Sequence, residues 1–132
     1  TMSGDQTISN MTWTKIVFNT VSFDDNTEFN TGTYSWVCKT AGTYVFSCII
    51  SWIANATGLR GVGISEDGSR PTMDSFISTV ETAGSSANTR TFLLGQIKCT
   101  VGQSISIWGY QSCGGNLDVD ANGSYFCAFR VA

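Results

Sequence analysis

Ten carboxylates, seven basic side chains and five cysteines are the groups in this 132-residue chain with chemistry to offer, and histidine is absent. Without histidine, Ser-His-Asp and Cys-His catalysis are impossible in their common forms. A glycosidase needs only two carboxylates, but Asp24, Asp25, Asp67, Asp118 and Asp120 sit in turn-like contexts, where turn formation and solvation account for them. The chemistry points away from an enzyme. Asp118-Val119-Asp120-Ala121-Asn122-Gly123 offers oxygen donors of the kind calcium takes. It lacks the full EF-hand loop and its closing Glu, and Asx-turn chemistry explains the same residues, so neither metal nor cofactor is expected. Cys38, Cys48, Cys99, Cys113 and Cys127 are odd in number and show no Cys-x-x-Cys spacing, so at least one thiol is free or pairs between chains. Cys48 and Cys127 fall inside apolar strand patterns and read as small buried hydrophobes.

The elements that must position these groups are strands. Tyr44, Phe46, Cys48, Ile50 and Trp52 alternate with Val45, Ile49 and Ile53, a period of two with apolar side chains on both faces. Phe92 and Leu94 oppose Leu93, Ile97 and Cys99. Ile105 and Ile107 alternate with Ser104, Ser106, Trp108 and Tyr110, and Tyr125, Cys127, Phe129 and Val131 alternate with Phe126, Ala128 and Arg130. Ala41-Gly42, Asp67-Gly68, Val101-Gly102, Gly114-Gly115-Asn116 and Asn122-Gly123 punctuate these runs as turn signals. No helical stripe is visible. An all-β sandwich of nine or ten short strands follows, with residues 1–12 as a tail or stalk connection and residues 13–132 as the domain. Charged residues are 13% of the chain, about half the usual share, and 33 Ser and Thr stand in their place. Such a chain has a neutral, hydroxyl-rich surface or hides much of it in an oligomer. A net charge of -3 with dispersed Lys and Arg disfavours nucleic acid. No run approaches the ~20 apolar residues of a membrane helix, so no membrane insertion is expected. Trp13, Trp36, Trp52 and Trp108 read as core or interface.

The runs Phe29-Asn30-Thr31-Gly32-Thr33-Tyr34 and Ala41-Gly42-Thr43-Tyr44-Val45-Phe46-Ser47, the strand start Val101-Gly102-Gln103-Ser104-Ile105-Ser106-Ile107 and the closing Ser124-Tyr125-Phe126-Cys127-Ala128-Phe129 together resemble the complement C1q globular-head family. The resemblance runs from about Trp13 to Ala132. It implies a ten-strand antiparallel jelly roll of the tumour-necrosis-factor superfamily, assembled as a trimer. Ala128 stands where the family closes with glycine. Gln103 stands where some members place a calcium-holding Asp, which leaves such a site without its acid. The wording Phe18-Asn19-Thr20-Val21 and Phe23-Asp24 resembles phage and bacterial members, which cap fibres.

The resemblance implies a trimeric receptor-binding or fibre-tip domain on a virion surface or in another extracellular setting, with a cell-surface glycan or protein as partner. The alternatives are a secreted complement-like recognition or lectin module and a structural trimerisation knob. Trp108, Tyr110, Tyr125 and Phe129 are expected at the trimer interface or in the adjacent core. Counting strand reversals back from the C-terminus places Asp120–Ser124, Thr100–Gln103, Asp67–Asp74 and Asn19–Thr31 at the end opposite the C-terminus. The binding residues expected there are Asp24, Asp25, Glu28, Asp67, Arg70, Asp74, Asp120 and Asn122.

Overall fold

A computed structural model describes residues 1–71, 78–82 and 87–132. Its strands are β1 (Gln6–Ile8), β2 (Thr14–Lys15), β3 (Phe29–Asn30), β4 (Ser35–Val37), β5 (Gly42–Trp52), β6 (Leu59–Ser65), β7 (Ser78–Thr82), β8 (Thr89–Cys99), β9 (Ser104–Gln111) and β10 (Leu117–Arg130). One sheet has the order β1-β10-β5-β8. The other runs β3-β4-β9-β6-β7, with β2 also pairing β9. All pairings are antiparallel, and the described residues contain no helix.

The alternation of β5 places Tyr44, Phe46, Cys48, Ile50 and Trp52 in the core, where Trp36, Val62, Ile64, Ile105 and Ile107 come from the six-stranded sheet to meet them. Trp36 is the main aromatic link between the layers, 4.6 Å from the Tyr44 ring and 5.1 Å from Phe46, both edge-on. Trp52 is fully buried, and its indole N–H donates to the Thr91 hydroxyl at 3.1 Å, which satisfies the ring's one polar atom. Gly109 faces Trp52 and Ile16 so closely that an added Cβ would stand 2.9–3.0 Å from their side chains.

The chain's two ends differ from expectation in ways that share physical causes. Residues 1–12, expected as a tail, carry β1, whose Gln6, Thr7 and Ile8 pair with Val119, Asp118 and Leu117. Ile8 is fully buried and Met2 nearly so, so this segment is part of the sandwich. Asp120–Ser124, expected as a loop between strands, is a bulge inside the single long strand β10. Asp120 pairs with Ser51 and Tyr125 with Ile49, so four residues of β10 stand opposite Ile50 alone. The Ser124 hydroxyl accepts the Ser51 N–H at 2.9 Å and donates to the Asp120 carbonyl at 2.8 Å, which bridges the gap. A Cβ on Gly123 would fall 2.5 Å from Ser51, so glycine permits the close approach.

Because that bulge reverses nothing, the count of reversals is one too high, and the loops change ends. Gly42, Cys99 and Arg130 lie side by side, and the Thr43 N–H donates to the Ala132 carbonyl. Cys38 and Gly102–Gln103 are tied by backbone bonds, and the Gln103 amide reaches the Glu66 carbonyl at 3.4 Å. The 100–103 turn and the start of the Asp67 loop therefore share the end that holds the C-terminus. The connections 53–58 and 112–116 occupy the other end.

Phe46, fully buried between Trp36 and Phe126, is a direct test of this core. Phe46→Ala should cost about 3–5 kcal/mol in urea unfolding.

Candidate functional site

Asp24 organises the segment before β3. Its carboxylate accepts the Glu28 N–H at 3.0 Å and the Phe29 N–H at 2.7 Å. Thr27 is held at φ 52 within this turn, an uncommon conformation for a β-branched residue. Lys39 clamps it, donating to the Asn26 carbonyl at 2.9 Å and the Thr27 hydroxyl at 3.0 Å. Asp25 stands exposed beside it.

Asp24, Asp25, Asn26, Glu28 and Phe29 wall a groove of about 420 Å³ between the 18–30 segment and Tyr125–Arg130 of β10. The neighbouring edge of β10 is paired by β1 only at Leu117–Val119, so the groove runs along a strand edge that no described strand covers. Phe18, Phe23, Phe29, Tyr125, Phe126 and Phe129 line it, and Phe126 lies 6.0 Å from both Phe18 and Phe29. Phe23 is 81% exposed at the mouth. Glu28 lies at the floor, only 8% exposed. Its carboxylate meets the Trp36 indole N–H at 3.2 Å, the Lys39 backbone N–H at 3.4 Å and the Tyr44 hydroxyl at 3.5 Å. Burial, then the Glu28 charge, holds both the Tyr44 hydroxyl and the Cys38 thiol above their usual pKa.

The expected binding residues do not converge. Asp24 and Asp25 line the groove, and Glu28, expected on an exposed loop, is its buried floor. Asp67 and Arg70 belong to a neighbouring loop at the C-terminal end. The Asp67 carboxylate accepts the Ser69 N–H at 2.8 Å, which together with the Ser69 hydroxyl holds it below the usual carboxylate range. Asp74 lies outside the described residues. Asp120 and Asn122 sit in the β10 bulge, away from that end. The Asp120 carboxylate accepts the Asn122 N–H at 3.0 Å, an Asx turn, and the Asn88 amide at 2.9 Å. Among the described residues no three His, Cys, Asp or Glu side chains form a group that would hold a metal ion.

The four expected interface aromatics split between opposite faces. Trp108 and Tyr110 lie on the outer face of the six-stranded sheet, where Lys15 sits 5.8 Å from the Trp108 ring and Trp13 lies 5.4 Å from Tyr110. Tyr125 and Phe129 lie on the outer face of the four-stranded sheet. Cross-strand register there builds the rows Tyr125–Ile49–Phe92, Cys127–Ser47–Leu94 and Phe129–Val45–Gln96. Phe92, Leu94, Tyr125 and Phe129 are all exposed, Leu94 by 61%. Cys127, read from sequence as a buried hydrophobe, is exposed in the middle of this face, whereas Cys48 points into the core. The sequence did carry a signal for the bare face. Phe92 and Leu94 share their parity with Arg90, Gln96 and Lys98, which marks it as the outer one.

No protein-family model matches the chain, and no curated protein matches it. Among solved structures it is similar to the globular domain of zebrafish complement 1qA protein, with a TM-score of 0.56 and 14% identity over 98% of each chain. The likeness establishes a C1q-like, all-β jelly-roll fold.

The Asp24 geometry predicts a sharp contrast between neighbours. Asp24→Ala, which orphans two N–H groups, should destabilise the protein by about 1–3 kcal/mol. Asp25→Ala should change thermal or urea stability by less than about 0.5 kcal/mol.

Proposed function

We propose that the protein is a non-enzymatic, homotrimeric recognition domain, displayed at the tip of a phage or other viral fibre, that attaches to a cell-surface glycan or protein. The observation that carries this reading is the bare apolar face of the four-stranded sheet on a C1q-like fold. Burying a side chain of the size of Leu94 or Phe129 gains roughly 1.5–3 kcal/mol, and adjacent exposed apolar side chains of this size mark an interaction surface. A threefold arrangement covers that face with neighbouring copies and leaves the end loops and the outer face of the other sheet to the partner. The low charge content, 13%, fits a chain that hides surface in this way. An animal complement-like module would use the same face and the same loops. The wording around Phe18–Asp24 favours the fibre tip.

Light scattering at micromolar concentration should give three times the chain mass of 14.2 kDa; the chain mass itself would refute the assembly. Leu94→Arg should release monomers. Cys127 supplies a second readout, because a thiol reagent should label it slowly in the assembled wild type and quickly in Leu94→Arg. Burial raises the thiols of Cys48, Cys38 and Cys99, the last to about 11, so these should resist labelling in both. Attachment is tested by binding to candidate host cells. Asp67→Ala with Arg70→Ala should weaken it if the partner meets the C-terminal end, and Asp120→Ala with Asn122→Ala if it meets the bulge. A well-folded trimer that binds no cell would be an inert knob.

A further inference from the structure

We infer that assembly joins unlike edges of the four-stranded sheet, with Arg90 of one copy seated against Asp5 and Asp120 of the next. The inference rests on the trimeric reading and assigns to it the contact that fixes its register. The observation is a row of side chains. Asp120 pairs with Ser51, and Ser51 pairs with Arg90. Gln6 pairs with Val119, so Asp5 continues β1 to the level of Asp120, and its carboxylate accepts the Ala121 N–H at 2.9 Å. Paired residues share a face. Asp5, Asp120, Ser51 and Arg90 therefore cross the outer face of the sheet at one level, the level of the bulge. Asp5 and Arg90 stand at its two edges, and both are exposed.

A ring of identical copies repeats one contact between two different patches. Rotation about an axis along the strands keeps every residue at its level. The β8 edge of one copy then arrives at the β1 edge of the next with Arg90 opposite Asp5 and Asp120. Among the described residues, the hydrogen bonds of these two carboxylates come from the Ala121 and Asn122 N–H groups and the Asn88 amide, all uncharged donors. Each carboxylate keeps lone pairs for a further donor, and an arginine fork suits them. Asp118, paired with Thr7 two residues before Asp120, adds to the negative charge of that edge. A twofold contact between like edges would instead set the β8 cations Arg90 and Lys98 against their own copies. Leu94 and Phe129, 61% and 56% exposed, supply the apolar part of the interface. The charges choose its register, because electrostatic complementarity confers specificity more than affinity.

The test is sedimentation velocity of the intact protein over a concentration series, where the midpoint between monomer and trimer reads assembly. Arg90→Glu sets like charges together and should raise that midpoint about tenfold or more. Lys15→Glu makes the same change in net charge on the outer face of the other sheet and should leave the midpoint where it is. Arg90→Glu combined with Asp5→Arg in one chain should restore assembly toward the wild type. A carbodiimide should couple the amine introduced by Arg90→Lys to Asp5 or Asp120 of another chain, seen as linked chains on a denaturing gel and mapped by mass spectrometry. An unchanged midpoint in folded Arg90→Glu, an equal loss in Lys15→Glu, no recovery in the combined variant, or links within single chains only overturns the inference. Should the combined variant not fold, the cross-links decide in its place. A wild type that stays at the chain mass refutes the trimeric reading itself. Wild-type trimers that Leu94→Arg dissolves and Arg90→Glu leaves intact remove this contact and keep that reading. Cell attachment of Asp120→Ala with Asn122→Ala is compared on trimers isolated by size, because Asp120 also serves assembly.

Discussion

Trp36 meets the core from the six-stranded sheet, and much else hangs on where its ring lies. One side of the indole packs edge-on against Tyr44 and Phe46 of β5, which joins the two layers. The indole nitrogen, which must find an acceptor once buried, donates to Glu28 at 3.2 Å. The Glu28 carbonyl accepts from Val37, one residue beyond Trp36. The residue that closes the core therefore also fixes the segment leading into β3, and with it the floor of the groove. Tyr44 repeats the arrangement, with its ring in the core and its hydroxyl between Thr40 and Glu28. Core and site share atoms here, so changes to one are felt in the other.

The bulge in β10 is the second constraint. A strand of fourteen residues would twist far out of register with β5 if it ran straight. Extra residues at 121–124 re-aim its second half, so that Phe126 faces inward against Phe46 while Tyr125, Cys127 and Phe129 face out. The first half keeps β1 as an edge partner, and among the described strands the second half has none. Both the covered and the open portions of that edge thus follow from one irregularity, held by the Ser124 hydroxyl and the space Gly123 leaves for Ser51.

These features differ in how far they can be read from sequence. The inward row of β5 and the alternation of β8 and β9 were legible, because period-two patterning is local. Alternation says which side chains share a face, and says nothing of which face is covered. Tyr125 and Phe129 share a period-two alternation with Trp108 and Tyr110, although the two pairs lie on different sheets. Asn122-Gly123 has the composition of a hairpin turn, and the register that makes it a bulge lies some seventy residues away, at Ile49 to Ser51. β1 has only three residues, too short for periodicity to register. The burial of Glu28 was illegible for the same reason of distance. Its surroundings read as a polar loop, and the groups that enclose it, Trp36 and Tyr44, arrive from other strands.

An open strand edge beside an apolar face is ordinarily a hazard, because unpaired N–H and C=O groups template further strands. Several features limit it here. Residues 18–30 stand beside the edge as the far wall of the groove, with Asp24 and Lys39 holding their turn rigid. The Thr1 amine, bonded to the Thr20 carbonyl at 2.7 Å, keeps the start of the chain along the same side. On the opposite edge of the sheet, Arg90 and Lys98 flank Phe92 and Leu94 with charge. A strand added at β10 would have to displace the groove wall. The same walling thus protects this edge against indiscriminate strand addition.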